Sequence, residues 1–195
     1  MSEGADVVAG TDVTPVQTVA ASLPDAEATR AFGRALATQL RAGDLVILTG
    51  DLGAGKTTLT QGIGAGLHVR GQVASPTFII AREHPALPQP DGTRGPDLVH
   101  VDAYRLGSLD EVEALDLESS LEDAVTVVEW GAGWVESLAT DRLEVALTRP
   151  RGGGVAEPDD DGGGGERVAT VRAVGPRWAD VPLADALGAD APVAG

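Results

Sequence analysis

The stretch Gly50-Asp51-Leu52-Gly53-Ala54-Gly55-Lys56-Thr57 constrains this chain more than any other part of it. It matches G-x-x-x-x-G-K-[ST] in full, the pattern of a phosphate-binding loop. Glycine lets the backbone turn through positive φ and approach a ligand with no Cβ in the way. Successive backbone N–H groups then point inward and cradle phosphate oxygens. A helix opening at Lys56 adds the positive end of its dipole, with Thr58 in its first turn a further candidate ATP-binding residue. The Lys56 ammonium reaches the β and γ phosphates and the Thr57 hydroxyl ligates magnesium, so the expected ligands are ATP and Mg2+.

The flanks agree with that reading. Leu45-Val46-Ile47-Leu48 is a continuous apolar run, the pattern of a strand buried on both faces of a parallel sheet. Lys56 to about Leu67 reads as a helix. Upstream, Val16–Ala20 predicts a short strand. Asp25 is placed to N-cap a helix with Glu27 in its first turn. Ala28, Ala31, Phe32, Ala35, Leu36 and Leu40 recur at helical spacing to about Leu40, and Gly43 ends the element. Downstream, Phe78–Ala81 predicts a short strand, and residues 84–97 are a Pro/Gly-rich loop insertion. Strands follow at Leu98–Val101 and Val125–Val128, with one or two short helices over Leu109–Leu121 between them. Leu143–Leu147 and Arg167–Val174 alternate apolar and polar residues, as half-open strands do. Residues 151–165 form a flexible Gly/Asp-rich link.

This order predicts an α/β, three-layer P-loop NTPase-like fold, its sheet mostly parallel with antiparallel strands towards the C-terminus. Residues 15–175 make one ATPase domain. Residues 1–14 are an acidic, disordered extension, and 176–195 are a C-terminal tail with a possible short helix.

Composition narrows the function. There are no cysteines, which excludes disulfides, cysteine zinc sites and thiol catalysis. His68, His84 and His100 lie far apart with no ligand spacing, which argues against a zinc site. Fourteen basic residues stand against 30 acidic ones, a formal charge of −16 that repels phosphate backbones, so any contact with tRNA is expected to be indirect. Lys56 is the only lysine, so it is not one member of a solvated lysine surface. No apolar run approaches the ~18 residues of a membrane span, and the first residues carry neither a basic nor a long apolar segment of a secretory signal. A cytoplasmic location with no membrane partner is expected.

Hydrolysis needs an acid that holds magnesium and, as a rule, a group that orients the attacking water. Asp102 follows Leu98-Val99-His100-Val101, and Glu129 follows Val125-Thr126-Val127-Val128. One such strand-end acid is ordinarily a solvated charge. Two beside a phosphate loop are candidate catalytic groups along with Lys56. Tyr104 and Arg105 are either switch residues or a packed aromatic beside a salt-bridged surface arginine. Trp134 and Trp178 read as packing.

Four motifs in order, GDLGAGKTTLTQG at 50–62, SPTF at 75–78, HVDAYRL at 100–106 and VVEW at 127–130, resemble the TsaE family. That family is the ATPase component of bacterial tRNA threonylcarbamoyladenosine synthesis. The resemblance covers about residues 20–175. It implies that Lys56 and Thr57 act on phosphate and metal, with Glu129 as the second metal-side ligand. It also implies Asp102 near the γ-phosphate, and Ser75, Pro76 and Thr77 in a nucleotide-sensing switch with Trp130 packed beside the site. The base would lie near Asp25–Thr29, with Arg167 close by. The implied partners are the TsaB and TsaD families. His84 and the EWGAGW ending depart from the usual pattern. A P-loop small-molecule kinase, with Arg82, Arg94 or Arg105 on a lid, and a non-catalytic ATP-gated assembly switch are the alternative readings.

Overall fold

A single mixed sheet organises the chain. In the computed structural model, which describes residues 16–75, 81–105, 117, 122–149 and 165–190, seven strands appear in chain order. They are β1 (Gln17–Leu23), β2 (Leu45–Thr49), β3 (Ala81–His84), β4 (Asp97–Asp102), β5 (Ala124–Glu129), β6 (Arg142–Thr148) and β7 (Arg167–Val174). Among the described residues the α-helices are α1 (Ala26–Ala37), α2 (Lys56–Gly66) and α3 (Leu183–Leu187). The expected extension 1–14, the strand over Phe78–Ile80 and the link 151–164 lie outside the described residues. So do the helices over Leu109–Leu121 apart from Leu117, which is buried.

The strand order is β1-β7-β6-β2-β5-β4-β3. β2 pairs in parallel with β5 and β6, and β4 in parallel with β5. The antiparallel β6–β7 pair near the C-terminus accords with the alternating pattern of both segments. Two further antiparallel pairs, β1–β7 and β3–β4, close the sheet's edges. Parallel and antiparallel pairings therefore balance, where the sequence predicts a mostly parallel sheet. The antiparallel pairings beyond β6–β7 come from the two edge strands, β1 on β7 and β3 on β4, whose direction is set by their partners and not by their own residues.

Local chemistry sets most boundaries. Asp25 caps α1, its carboxylate accepting from Ala28 N at 2.7 Å. The helix closes at Ala37, short of the expected Leu40. Thr38, Gln39 and Leu40 each donate to the carbonyl three residues back, a tightened last turn that keeps Leu40 in the core. β1 runs through Leu23, three residues past the expected end, because it pairs with β7 along its whole length. Residues 85–96 hold only isolated bridges, Val69 to Ala86 and Pro88 to Arg94, as a Pro/Gly-rich loop should.

Alternation divides the core. Val46, Leu48, Val125, Val127, Val145 and Val171 face α1, α2 and α3, packing on Phe32, Leu36, Leu59 and Ile63. Leu45, Ile47, Val99, Val101 and Val128 face the opposite layer, with Val135, Leu117, Trp130 and Trp134. Residues 176–190 are more than a tail, since Trp178 and Leu183 are fully buried in the α-side core. The same region supplies a structural ion pair. Arg177 Nη2 lies 3.2 Å from Asp44 Oδ2 and donates to Gln39 O at 2.8 Å, and its guanidinium sits 4.3 Å from the Trp178 ring centroid.

Candidate nucleotide site

The site grows from the carboxyl end of β2. Thr49 leads into Gly50, whose φ of 142° only glycine adopts without strain, and the loop enters α2 through Gly55 at φ 102°. Any side chain at Gly50 would strike the Leu147 carbonyl of β6. The loop is thus fixed between β6 and the opening turn of α2, with N–H groups free of Cβ shielding.

β4 and β5 end at the same level. Their parallel register pairs Asp102 with Glu129, and both side chains project to the α2 side beside Thr57. A cleft of about 270 Å³ collects these groups: Lys56, Thr57, Thr58, Ser75, Asp102, Glu129 and Trp130, rimmed by Leu52, Gly53 and Gly55. Residues from all four motifs, the glycine loop, Ser75, Asp102 and the Glu129–Trp130 pair, line this one space.

Within it, Lys56 is buried. Its Nζ donates to Gly50 O at 2.7 Å and to Asp51 O at 3.1 Å, and lies 3.9 Å from the Trp130 ring centroid. Burial lowers the Lys56 pKa, while the charges of Glu129, Asp102 and Asp51 pull it back up. Thr57 Oγ1 donates to Glu129 Oε1 at 3.0 Å. Asp102 accepts from Ser75 Oγ at 3.3 Å through Oδ2 and from Tyr104 N at 3.0 Å through Oδ1. Trp130 holds φ at 62°, a left-handed conformation unfavourable for a bulky residue. Its N–H bonds to Leu48 O at 3.1 Å, which ties that turn to the strand before the phosphate loop. The exposed Tyr104 ring packs on Trp130, with centroids 5.2 Å apart.

The remaining expected residues are placed differently. Leu52 stands exposed at the cleft's rim, 87% accessible, Asp51 is exposed beside it, and Ala54 is buried beneath the loop. Thr29 and Arg167 do meet, Arg167 Nη1 donating to Thr29 Oγ1 at 3.1 Å, but both are fully buried. They stand behind Gly55, whose Cβ position would be 3.2 Å from Arg167 Nη1, and do not line the cleft. Pro76 and Thr77 lie outside the described residues, as does the Arg105 side chain. Arg82 on β3 and Arg94 on the 85–96 loop are exposed and do not line the cleft.

Two groups beside the site escaped the sequence reading. Arg149, just after β6, donates to Gly53 O, and nothing in its local sequence announces that contact. His100 is fully buried with Nε2 2.8 Å from Glu129 Oε1. Its signal was present. Residues i and i+2 of a strand share a face, so a strand that aims Asp102 at the cleft aims His100 at the same side, one step deeper.

The donor set fits its expected ligands. A hydroxyl and a carboxylate 3.0 Å apart at the first turn of a helix are hard oxygen donors of the kind magnesium takes. The glycine-turned loop above Lys56 is a phosphate cradle. No group of three or more His, Cys, Asp or Glu that could hold a metal by itself occurs among the described residues.

Comparison with known proteins places the chain in one family. A family model described as "Threonylcarbamoyl adenosine biosynthesis protein TsaE" matches residues 23–153. The tRNA threonylcarbamoyladenosine biosynthesis protein TsaE of Streptomyces coelicolor is 57% identical over 151 residues, 77% of this chain and 93% of that protein. The protein of the same name from Bacillus subtilis strain 168 is 37% identical over 153 residues, covering 78% of this chain and 84% of that one. The crystal structure of Bacillus subtilis YdiB matches with a TM-score of 0.60 at 31% identity, over 88% of this chain and 95% of that chain.

Proposed function

Because the chain belongs to the TsaE family, we propose that it is the ATP-binding and ATP-hydrolysing subunit of the bacterial machinery that makes threonylcarbamoyladenosine in tRNA. Its turnover cycles a complex with TsaB- and TsaD-family partners in the cytoplasm. Among the described residues no helix is long and apolar enough to cross a membrane. The tRNA is reached through the partners, in keeping with the chain's charge of −16.

One observation carries the reading. Lys56, Thr57, Asp102 and Glu129 line one cleft at the mouth of the glycine loop. Phosphoryl transfer asks the protein chiefly to position groups and neutralise charge, and each of these residues has a task in that scheme. The loop N–H groups bind the phosphates. Lys56 exchanges the Gly50 and Asp51 carbonyls for β- and γ-phosphate oxygens. Thr57 and Glu129 would hold magnesium, directly or through water, and the ion would supply neutralisation of phosphate charge there. Asp102 stands on the γ-phosphate side. There it orients water and links the nucleotide to Ser75, the residue before the Pro76–Thr77 switch. Thr29 and Arg167 buttress Gly55 near the base-binding end.

The test is reconstitution. With TsaB- and TsaD-family proteins, tRNA, ATP and the threonylcarbamoyl precursors, modified nucleoside and free phosphate should both depend on this chain. Phosphate release by the chain alone should be weak. Accumulation of a phosphorylated small molecule without partners would establish a kinase instead. Full modification supported by a non-hydrolysable ATP analogue would reduce the protein to an assembly switch.

A further inference from the structure

We propose that His100 is a positioning residue for the metal-side carboxylate, holding Glu129 in the one orientation that serves magnesium. The inference rests on the role proposed above for Glu129.

His100 lies on β4, two residues before Asp102, and its ring is fully enclosed. β4 and β5 place it opposite Val127, one diagonal step from Glu129 on the same face of the sheet. Nε2 lies 2.8 Å from Glu129 Oε1. A carboxylate only accepts, so that ring nitrogen carries the proton and donates. Thr57 Oγ1 donates to the same oxygen at 3.0 Å. Two donors, one from the strand below and one from the helix above, therefore converge on Oε1. Among the described residues no hydrogen bond is made to Oε2. Glu129 also lines the cleft, so this arrangement spends one oxygen on fixing the carboxylate and keeps the other for the cation.

Without His100 the carboxylate would be held by Thr57 alone. Thr57 is the hydroxyl that must also turn a lone pair to the metal. A fully buried ring on a sheet strand offers what the hydroxyl lacks, a donor with no ligating duty of its own. Hydrogen bonds of this kind to a ligating carboxylate are worth about 10–100-fold in metal affinity.

The experiment measures affinity for a fluorescent ATP analogue with and without magnesium, in wild type, His100→Leu, His100→Gln, His100→Asn and Glu129→Gln. The readout is the ratio of the two affinities. His100→Leu should lower that ratio about tenfold or more while leaving magnesium-free affinity within about twofold. His100→Gln carries an amide N–H at the reach of Nε2 and should restore most of the ratio. His100→Asn is equally polar but its amide stops short, so it should behave like His100→Leu. If His100→Leu fails to fold, the Gln and Asn pair decides the matter by itself. A wild-type ratio in His100→Asn overturns the proposal, as does an equal loss with and without magnesium. If Glu129→Gln keeps the wild-type ratio, the role of Glu129 falls and this inference falls with it. If Glu129→Gln loses the ratio and His100→Asn does not, only the inference about His100 falls.

Discussion

Two buried ionic clusters flank the central strands, Asp44 with Arg177 at one end of β2 and Lys56 with Glu129 at the other. Asp44 precedes β2, where its Oδ2 accepts from Arg41 N at 2.9 Å and lies 3.2 Å from Arg177 Nη2. Burial raises the Asp44 pKa, and the Arg41 hydrogen bond and the Arg177 charge oppose the rise. Each charge has its own counterion, and the cluster ties residues 176–178 to the start of the sheet. At the carboxyl end of β2 the pairing is looser. Lys56 donates to two neutral carbonyls and faces three carboxylates without touching one. On the proposed function these carbonyls would be traded for phosphate oxygens, whereas the Asp44–Arg177 pair is closed on itself.

Breaking the closed pair should have the largest effect. Arg177→Ala leaves Asp44 buried without its counterion and should cost about 3 kcal/mol of stability, read by urea denaturation, with ATP affinity unchanged. The pH dependence has a definite sign. A carboxyl whose folded pKa lies above its unfolded value of 3.8 binds more protons folded than unfolded. Stability therefore falls as pH rises through that window. The Arg177→Ala deficit should be full at neutral pH and shrink towards pH 4. A deficit independent of pH would assign the loss to the Trp178 contact instead.

Breaking the open cluster should sharpen the contrast. Lys56→Met should weaken ATP binding about 100-fold, the scale of charge-assisted hydrogen bonds, without lowering the melting temperature of the free protein. Burial holds the Lys56 pKa below 10.5, so the unfolded chain binds the extra proton just below that value and stability rises with pH there. The charged lysine is therefore a cost to the free fold at neutral pH. In the wild type, ATP affinity should begin to fall with pH before the ordinary lysine range. A melting temperature lowered by several degrees in Lys56→Met would make Lys56 a structural residue like Arg177.

The sequence made the parallel core and the cleft legible for the same reason. Leu45–Leu48, Leu98–Val101 and Val125–Val128 are unbroken apolar runs, and an acid at the end of such a run is aimed by the sheet itself. The edges were less legible. β3 is four residues, AREH, with no apolar alternation, and its antiparallel direction is a matter of partners. The packing of 176–190 hinged on Trp178 and Leu183 finding the α-side core, a long-range contact with no local pattern. Metal-ligand spacing along the sequence does not reveal His100. Its partner is 29 residues away, and the strand period places both on one face.

Glu129 and Asp102, at adjacent strand ends, are proposed to do different work. Titrating ATP affinity against magnesium in wild type, Glu129→Ala and Asp102→Ala tests this directly. Glu129→Ala should lose about tenfold or more of the affinity gained from magnesium. Asp102→Ala should keep that gain and lose only partner-stimulated phosphate release. A reversed pattern, with Asp102→Ala losing the magnesium gain and Glu129→Ala keeping it, would contradict the assignment of the two acids.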